Sequence, residues 1–380
     1  MNGNLFPKVT ARFCGYLNLG FSIDMKPTKN TTNNGSFVPD QTFAIQADCL
    51  DFLTQYKGPK FDVIYLDPPY FLSREFALEA KEDSIKFQGG WEDHEINALV
   101  HDIAGITGNT SLVKYLSWMY PRLKLMHEHL SEQGSFFLHI GTREGPYLNI
   151  LLDEIYGMNN WRSTITWQRS HPHNNMKKSL GNVSDFIYYY SKSSKYTFNL
   201  LHTPHDETYL SNSFSNEDER GAYALAPVIQ ERARKGFFYE YKNIVPPNGW
   251  RIRIESLKAL DEDGRIHWGA NRAYKKVYLE EAKGAALQNI WSDIYNITRT
   301  EVDSRKYPTQ KPIKLLERII GLSSNEGDLV YDPFCGSGTT LAAGAGMGRK
   351  VLGTDISLDA IEITNSRVKR ILETNQNKLF

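Results

Sequence analysis

The chain has 380 residues, 41% of them hydrophobic, enough for one large domain with an insertion or for two domains. Lysine plus arginine and aspartate plus glutamate number 44 each, so net charge points to no polyanionic partner. No run of 18 apolar residues predicts a membrane span, and the N-terminus lacks the apolar centre of a signal peptide. The three scattered cysteines, Cys14, Cys49 and Cys335, fit a reducing cytoplasm and offer no metal-ligand spacing.

Residues 1–42 read as an N-terminal extension, with a polar linker rich in turn residues at 24–42. Short apolar runs of strand type follow at 42–47, 61–66, 134–140, 162–168 and 185–191, with helix-like patterns between several of them, notably at 111–130. Alternation of buried strands with helices predicts a parallel α/β sheet. From 196 to 305 aromatic, charged and turn residues mix, which predicts a smaller α+β module inserted into the sheet domain. The α/β pattern then resumes from 306 to 380. Pro312 opens a helix that Gly321 is expected to end, strands follow at 327–334 and 349–357, and a helical pattern runs over 358–372. Residues 43–195 and 306–380 thus read as two halves of one domain.

The strand ending at Asp332 and Phe334 runs into "CGSGTTLAAGAG", a strand, glycine turn and helix. That arrangement binds cofactors at the end of a parallel strand. Gly336 and Gly338 let the backbone turn tightly, and the helix start near Thr339 offers free N–H groups. A dinucleotide fingerprint needs glycine at 341, where leucine stands, and no P-loop is present. Asp355 ends the next strand, seventeen residues after Gly338, where an acid suits a ribose diol. A glycine turn with a ribose-binding acid and no diphosphate signature fits S-adenosylmethionine. "GSG" alone would be an ordinary tight turn.

With "DPPY" at 67–70, "YPTQKP" at 307–312 and "DPFCGSGTT" at 332–340, the chain resembles the amino-methylating DNA methyltransferases. The catalytic motif precedes the cofactor motif, the circularly permuted order of the β class. The segment carrying "GWR" (249–251), "DGRI" (263–266) and "IWSDI" (290–294) is similar to adenine-N6 enzymes related to type III modification subunits. The resemblance covers about residues 43–370. It implies a Rossmann-like S-adenosylmethionine-dependent fold with a target recognition domain at 196–305. It also implies that Asp67 and the Pro68 carbonyl accept hydrogen bonds from the exocyclic amine of a flipped-out adenine. Pro69 would help fix that geometry, and Tyr70 would stack on the base. By the same resemblance Asp48 and Cys49 lie near the cofactor adenine, and Gln310, Lys311 and Pro312 flank the cofactor. Asp332, Phe334, Gly336, Ser337, Gly338, Thr339 and Thr340 belong to the cofactor motif. A helix N-cap is the alternative reading of Asp48, and Lys311 reads equally as a surface residue.

Local charge supplies DNA-contact candidates. Residues 168–195 hold five Lys/Arg against one acid, with Arg169, Lys177 and Lys178 in one loop. Residues 232–275 hold ten against five, with Arg232, Arg234, Lys235, Arg251 and Arg253 among aromatic residues. A solvated face would look the same on charge alone. His171 and His173 lack further ligands for a metal. No Pro-Cys pair occurs, which argues against methylation at a cytosine ring carbon. Cytosine-N4 methylation fits the same motifs, and a DNA-binding protein without catalysis is the reading of another class. The expected partners are double-stranded DNA, a second copy in a homodimer, as is frequent in the β class, and a cognate restriction endonuclease.

Overall fold

The computed structural model describes residues 43–69, 94–172, 178, 180–204, 207–231, 236–269, 272–297 and 310–376. Tyr70, His173, Lys177, Arg232, Arg234, Lys235, the extension 1–42 and residues 307–309 of the "YPTQKP" stretch lie outside the described residues. By density of contacts the chain divides into two compact units, one of residues 1–199 and 288–380, the other of residues 200–287.

The first unit opens with strand β1 (Ala44–Gln46) and helix α1 (Cys49–Gln55), which starts where the Asp48 carboxylate accepts the Leu50 N–H at 2.7 Å. Strand β2 (Phe61–Leu66) follows. Helices α2 (His94–Thr107) and α3 (Thr110–His129) lead to β3 (Leu130–Gly141), α4 (Gly145–Tyr156), β4 (Trp161–Gln168) and β5 (Ser184–Ser191). The second unit carries β6 (His202–Thr203), α5 (Glu207–Ser213), β7 (Asn216–Asp218), β8 (Gly221–Pro227), α6 (Ile254–Glu262), β9 (Ile266–Trp268), β10 (Ala273–Tyr278) and β11 (Ala285–Ala286). The chain re-enters the first unit with β12 (Ile290–Trp291), α7 (Ile313–Ser323), β13 (Leu329–Asp332), α8 (Thr339–Gly346), β14 (Lys350–Asp355) and α9 (Leu358–Gln376).

One eight-stranded sheet orders the first unit as β1-β14-β13-β2-β3-β5-β4-β12. Residues 44–191 and 329–355 therefore meet in one sheet, as the motif order requires. β2 and β13 are neighbours, with Val63 opposite Val330 and Ile64 opposite Tyr331. Burial on both faces explains why Val63–Leu66 and Leu329–Tyr331 read as continuous apolar or aromatic runs rather than alternating ones. Ile64, Leu66, Phe136, Leu138, Ile140 and Tyr331 share one core with residues of α1, α3 and α4. A ring stack of Phe52, Tyr331, Phe61 and Tyr56, with successive centroids 5.8, 4.4 and 4.9 Å apart, threads that core. Alternation sends Val63 and Tyr65 to the opposite face, and α7 packs against β2.

Two expectations need correction. The sheet is mixed rather than all parallel, because β5 runs antiparallel to both β3 and β4. The β4–β5 connection, residues 169–183, contains no helix among its described residues, so no helical crossover is seen to carry the chain back parallel. Gly321 does not end α7, which continues to Ser323. Asn199, 122 residues away in sequence, donates to the carbonyls of Gly321 and Ser324 at 2.9 and 2.8 Å and takes over the C-terminal capping.

The second unit is built on a four-stranded antiparallel sheet, β7-β8-β10-β9, with β6 and β11 forming a separate ribbon. Its core joins Val228, Trp250, Leu257, Ile266 and Ala273. Tyr239 stacks on Trp250 with centroids 5.5 Å apart. Asp261 accepts from Trp268 Nε1 at 2.7 Å and the Tyr241 hydroxyl at 2.9 Å, so four of the aromatic residues of this basic stretch are structural.

Candidate active site

Parallel strands present their carboxyl ends on one edge of the sheet, and ligands of open α/β sheets bind outside that edge. Here four adjacent strands, β1, β14, β13 and β2, end on an acid or are followed by one within two residues. In spatial order these are Asp48, Asp355, Asp332 and Asp67. Asp355 lies opposite Gln46 of β1, and Asp332 opposite Gly353 of β14. The row is produced by topology, since the four positions span 308 residues of sequence from 48 to 355.

The outer two carboxylates are paired with cations. Asp48 Oδ2 receives Arg122 Nη2 at 2.7 Å, and Arg122 lies over the Trp118 ring at 4.2 Å. Asp67 Oδ2 receives the Lys311 ammonium. The inner two take neutral donors. Asp355 accepts the Gly336 N–H and the Ser357 N–H, each at 2.9 Å. Asp332 accepts the Phe334 N–H at 3.0 Å and a hydroxyl hydrogen bond from Thr340. Neither inner acid is paired with a cation among the described residues. Burial pushes the Asp332 carboxyl up to about 7, against the Thr340 and Phe334 hydrogen bonds, and the charges of Asp67 and Asp355 add to the rise. Burial also raises the Asp355 carboxyl, against its backbone donors.

The glycine turn is tightly built. Gly336 and Gly338 have φ of +48° and +73°, and Gly338 is the N-cap of α8. A Cβ on Gly338 would stand 2.5 Å from Thr364, whose hydroxyl donates to the Gly336 carbonyl at 2.9 Å. Cys335, Ser337, Thr339 and Thr340 are buried around the turn. The α8 N-terminus therefore faces the edge on which Asp332 and Asp355 stand, without side-chain capping.

Helix α3 contributes residues that motif reading passed over. Tyr115, Trp118 and Arg122 recur at helical spacing on one stripe. The Tyr115 hydroxyl donates to the Pro69 carbonyl at 3.1 Å and so braces the turn after Asp67. Trp118 lies 5.8 Å from the Phe334 ring, centroid to centroid. An arginine inside an otherwise buried aromatic stripe was the available signal. Behind Asp67 lies a second buried group. His139 of β3 meets the Tyr65 hydroxyl at 2.7 Å through Nδ1 and Asp185 at 3.4 Å through Nε2. Burial and the Lys311 charge hold its imidazole below the ordinary value. Burial opposes ionisation of Asp185, but His139 and Arg169 outweigh it and hold that carboxyl low.

Among the other sequence-derived positions, Pro68 and Pro312 are buried and Gln310 half-buried. Cys49 is buried in the core, and burial pushes its thiol up to about 12. Arg169 is tied to Asp185 at 3.2 Å and to the Asn182 carbonyl at 2.9 Å, while Lys178 is exposed. In the second unit Arg251 and Arg253 are exposed, with Phe237 and Phe238 exposed beside them. His171 packs on Tyr295. Among the described residues no cluster of metal-ligating side chains occurs, and no helix is long and apolar enough to cross a membrane.

Residues 61–366 match the family described as DNA methylase. The chain is 33% identical over 315 residues to the type II methyltransferase M.EcaI of Enterobacter cloacae, a match covering 82% of this chain and 65% of that protein. It is 26% identical over 319 residues to the StyLTI Mod subunit, a type III restriction-modification enzyme of Salmonella typhimurium, covering 78% of this chain and 48% of that one. It is 25% identical over 321 residues to the DNA adenine methyltransferase YhdJ of Escherichia coli, covering 84% and 80%. The chain thus spans about two thirds and about half the length of the first two relatives.

Proposed function

The chain belongs to the DNA methylase family, and we propose that it methylates the exocyclic N6 amine of adenine at a specific site in double-stranded DNA. The carrying observation is the adjacency of Asp67, at the end of β2, to the glycine turn that follows β13. S-adenosylmethionine would supply a methyl group already activated on a cationic sulfur. The residues present fit such a donor: two neighbouring acids, Asp332 and Asp355, face only neutral donors among the described residues, and Gly336 and Gly338 open the backbone beside them. Phe334, Trp118 and the α1 start at Asp48 offer surfaces for its adenine, and Asp355 for its ribose.

The chemistry asked of the chain is modest. An aromatic amine is a poor nucleophile because its lone pair is conjugated with the ring. Acceptors on its two hydrogens favour the tetrahedral nitrogen formed as the new N–C bond is made and the C–S pair returns to sulfur. Asp67 and the Pro68 carbonyl are such acceptors, held by the buried Pro68 and by Tyr115 on Pro69. One amine proton then leaves toward Asp67 or solvent. The base must be extruded from the duplex, and residues 196–305 would read the surrounding sequence, with Arg251 and Arg253 on phosphates. A cytoplasmic location, a homodimer and a cognate restriction endonuclease fit the same reading.

The test is incubation of duplex DNA with the protein and labelled S-adenosylmethionine, then nucleoside mass spectrometry. N6-methyladenine is expected in wild-type reactions. Asp67→Ala should lose at least about 10²-fold in rate while retaining the cofactor. N4-methylcytosine as the product would reassign the base, and an unmodified substrate across a library of sequences would overturn the function.

A further inference from the structure

The Lys311–Asp67 contact has a second side. The two carboxylate oxygens of Asp67 are used unequally. Oδ2 receives the Lys311 ammonium, whereas Oδ1 is shielded from solvent and has no hydrogen-bond partner among the described residues. Such an oxygen is costly to leave unpaired, so it is held for a donor or holds strain. Lys311 is well placed to hold it. Its side chain is 16% exposed and that of Asp67 is 20% exposed. Pro312, the N-cap of α7 with φ −62°, fixes the backbone immediately after it, and the Pro312 carbonyl accepts the Leu315 N–H at 3.1 Å. The buried imidazole of His139, which burial and the Lys311 charge hold below its ordinary value, is occupied by Tyr65 and Asp185. Asp67 is therefore oriented by the ammonium.

We propose that Lys311 is a positioning residue for methyl transfer: by occupying Oδ2 it fixes the Asp67 carboxylate so that Oδ1 receives an N–H of the target amine. This rests on the role given to Asp67 above and differs from a cofactor-flanking role for Lys311. The lysine does not touch the substrate. It removes the rotational freedom of the acceptor and leaves one oxygen for one proton. The second amine hydrogen goes to the Pro68 carbonyl. A misplaced acceptor costs rate and leaves the cofactor site intact.

Full-length Lys311→Met keeps the aliphatic stem and removes the charge. Single-turnover methylation and, separately, calorimetric S-adenosylmethionine affinity distinguish the two roles. The expected result is a rate lower by about 10²-fold with cofactor affinity within about twofold of wild type. Lys311→Arg should retain a rate between the two. Lys311→Ala should regain about tenfold in rate on addition of ethylammonium, which a merely structural role would not show. A wild-type rate in Lys311→Met, or a loss confined to cofactor affinity, overturns the proposal. Should Lys311→Met fail to fold, the arginine variant and the ethylammonium rescue decide alone, and no rescue counts against it. Asp67→Ala run alongside separates the two levels. An inert Asp67→Ala beside a fully active Lys311→Met refutes the positioning role alone, whereas a wild-type protein that methylates no DNA refutes the function.

Discussion

Replacing Asp332 by asparagine should change how stability depends on pH. The side chain is 3% exposed, and burial pushes its carboxyl from an ordinary 3.8 up to about 7. Between those values the folded chain holds a proton that the unfolded chain has released. Stability contributed by this group is therefore complete below about pH 4 and is lost as pH rises toward 7. The slope is about 1.4 kcal/mol per pH unit, so about three units correspond to about 4 kcal/mol. The asparagine amide cannot titrate, and its carbonyl can still accept the Phe334 N–H that Asp332 accepts at 3.0 Å. The difference in stability, variant minus wild type, should rise by about 3 kcal/mol from pH 4.5 to pH 8, the remainder falling below pH 4.5, and level off above 7. Urea unfolding of both proteins at half-unit intervals, without cofactor, gives the difference directly and cancels every other titrating group. Parallel curves would show that Asp332 is not protonated in the fold. A sulfonium ligand favours the ionised carboxylate, so wild-type cofactor affinity should increase with pH up to about 7 while that of the variant stays flat and weaker.

Gly338→Ala should destabilise by about 2–4 kcal/mol, combining a left-handed backbone with overpacking against Thr364, 2.5 Å from the new Cβ. Adding Thr364→Ala should recover only part of this, because the Thr364 Cβ itself lies 2.8 Å away; unfolding midpoints within about 0.5 kcal/mol of wild type would refute the reasoning. Arg122→Met and Asp48→Asn, alone and combined, should show a coupling of about 1–3 kcal/mol, since the 2.7 Å pair is largely shielded on the arginine side. Zero coupling would make that contact a bystander.

The strand of residues 61–66 was legible to the residue because it is buried on both faces and bounded by Pro59 and by Asp67-Pro68-Pro69. Helix α3 was legible within one residue at each end, and Asn109 supplies its cap by accepting the Leu112 N–H at 3.1 Å. β3 begins at Leu130 rather than 134, because Leu130 pairs with Phe61, a contact that no local pattern announces. The extension of α7 past Gly321 was hidden for the same reason, its carbonyls being capped by a distant asparagine. The direction of β5 was hidden as well, because apolar periodicity carries no information on direction and the β4–β5 link, residues 169–183, is long enough for either return. The two-residue β12, paired with Thr166 and Trp167, is too short to carry a period at all.

Motif reading fared differently at the site, because a carboxylate can brace its own strand end and face a ligand at once. Asp48 caps α1 and also pairs with Arg122; Asp355 ties the glycine turn to β14 through the Gly336 N–H and also accepts the Ser357 N–H. Each carboxylate has about four lone-pair sites, so these bonds leave room for a ribose hydroxyl or another donor. Structural and ligand-binding readings of one acid are thus compatible, and sequence alone cannot divide them. What separates the four acids is charge balance. Arg122 and Lys311 neutralise the outer pair, while Asp332 and Asp355, on adjacent strands, meet only neutral donors among the described residues and have raised carboxyl values. A fold selected for stability alone gains by replacing one of two such neighbours with a neutral residue. Their presence beside an uncapped helix start makes physical sense if a ligand carries both a cationic centre for the acids and acceptors for the helix N–H groups. An amino-acid-bearing sulfonium has both.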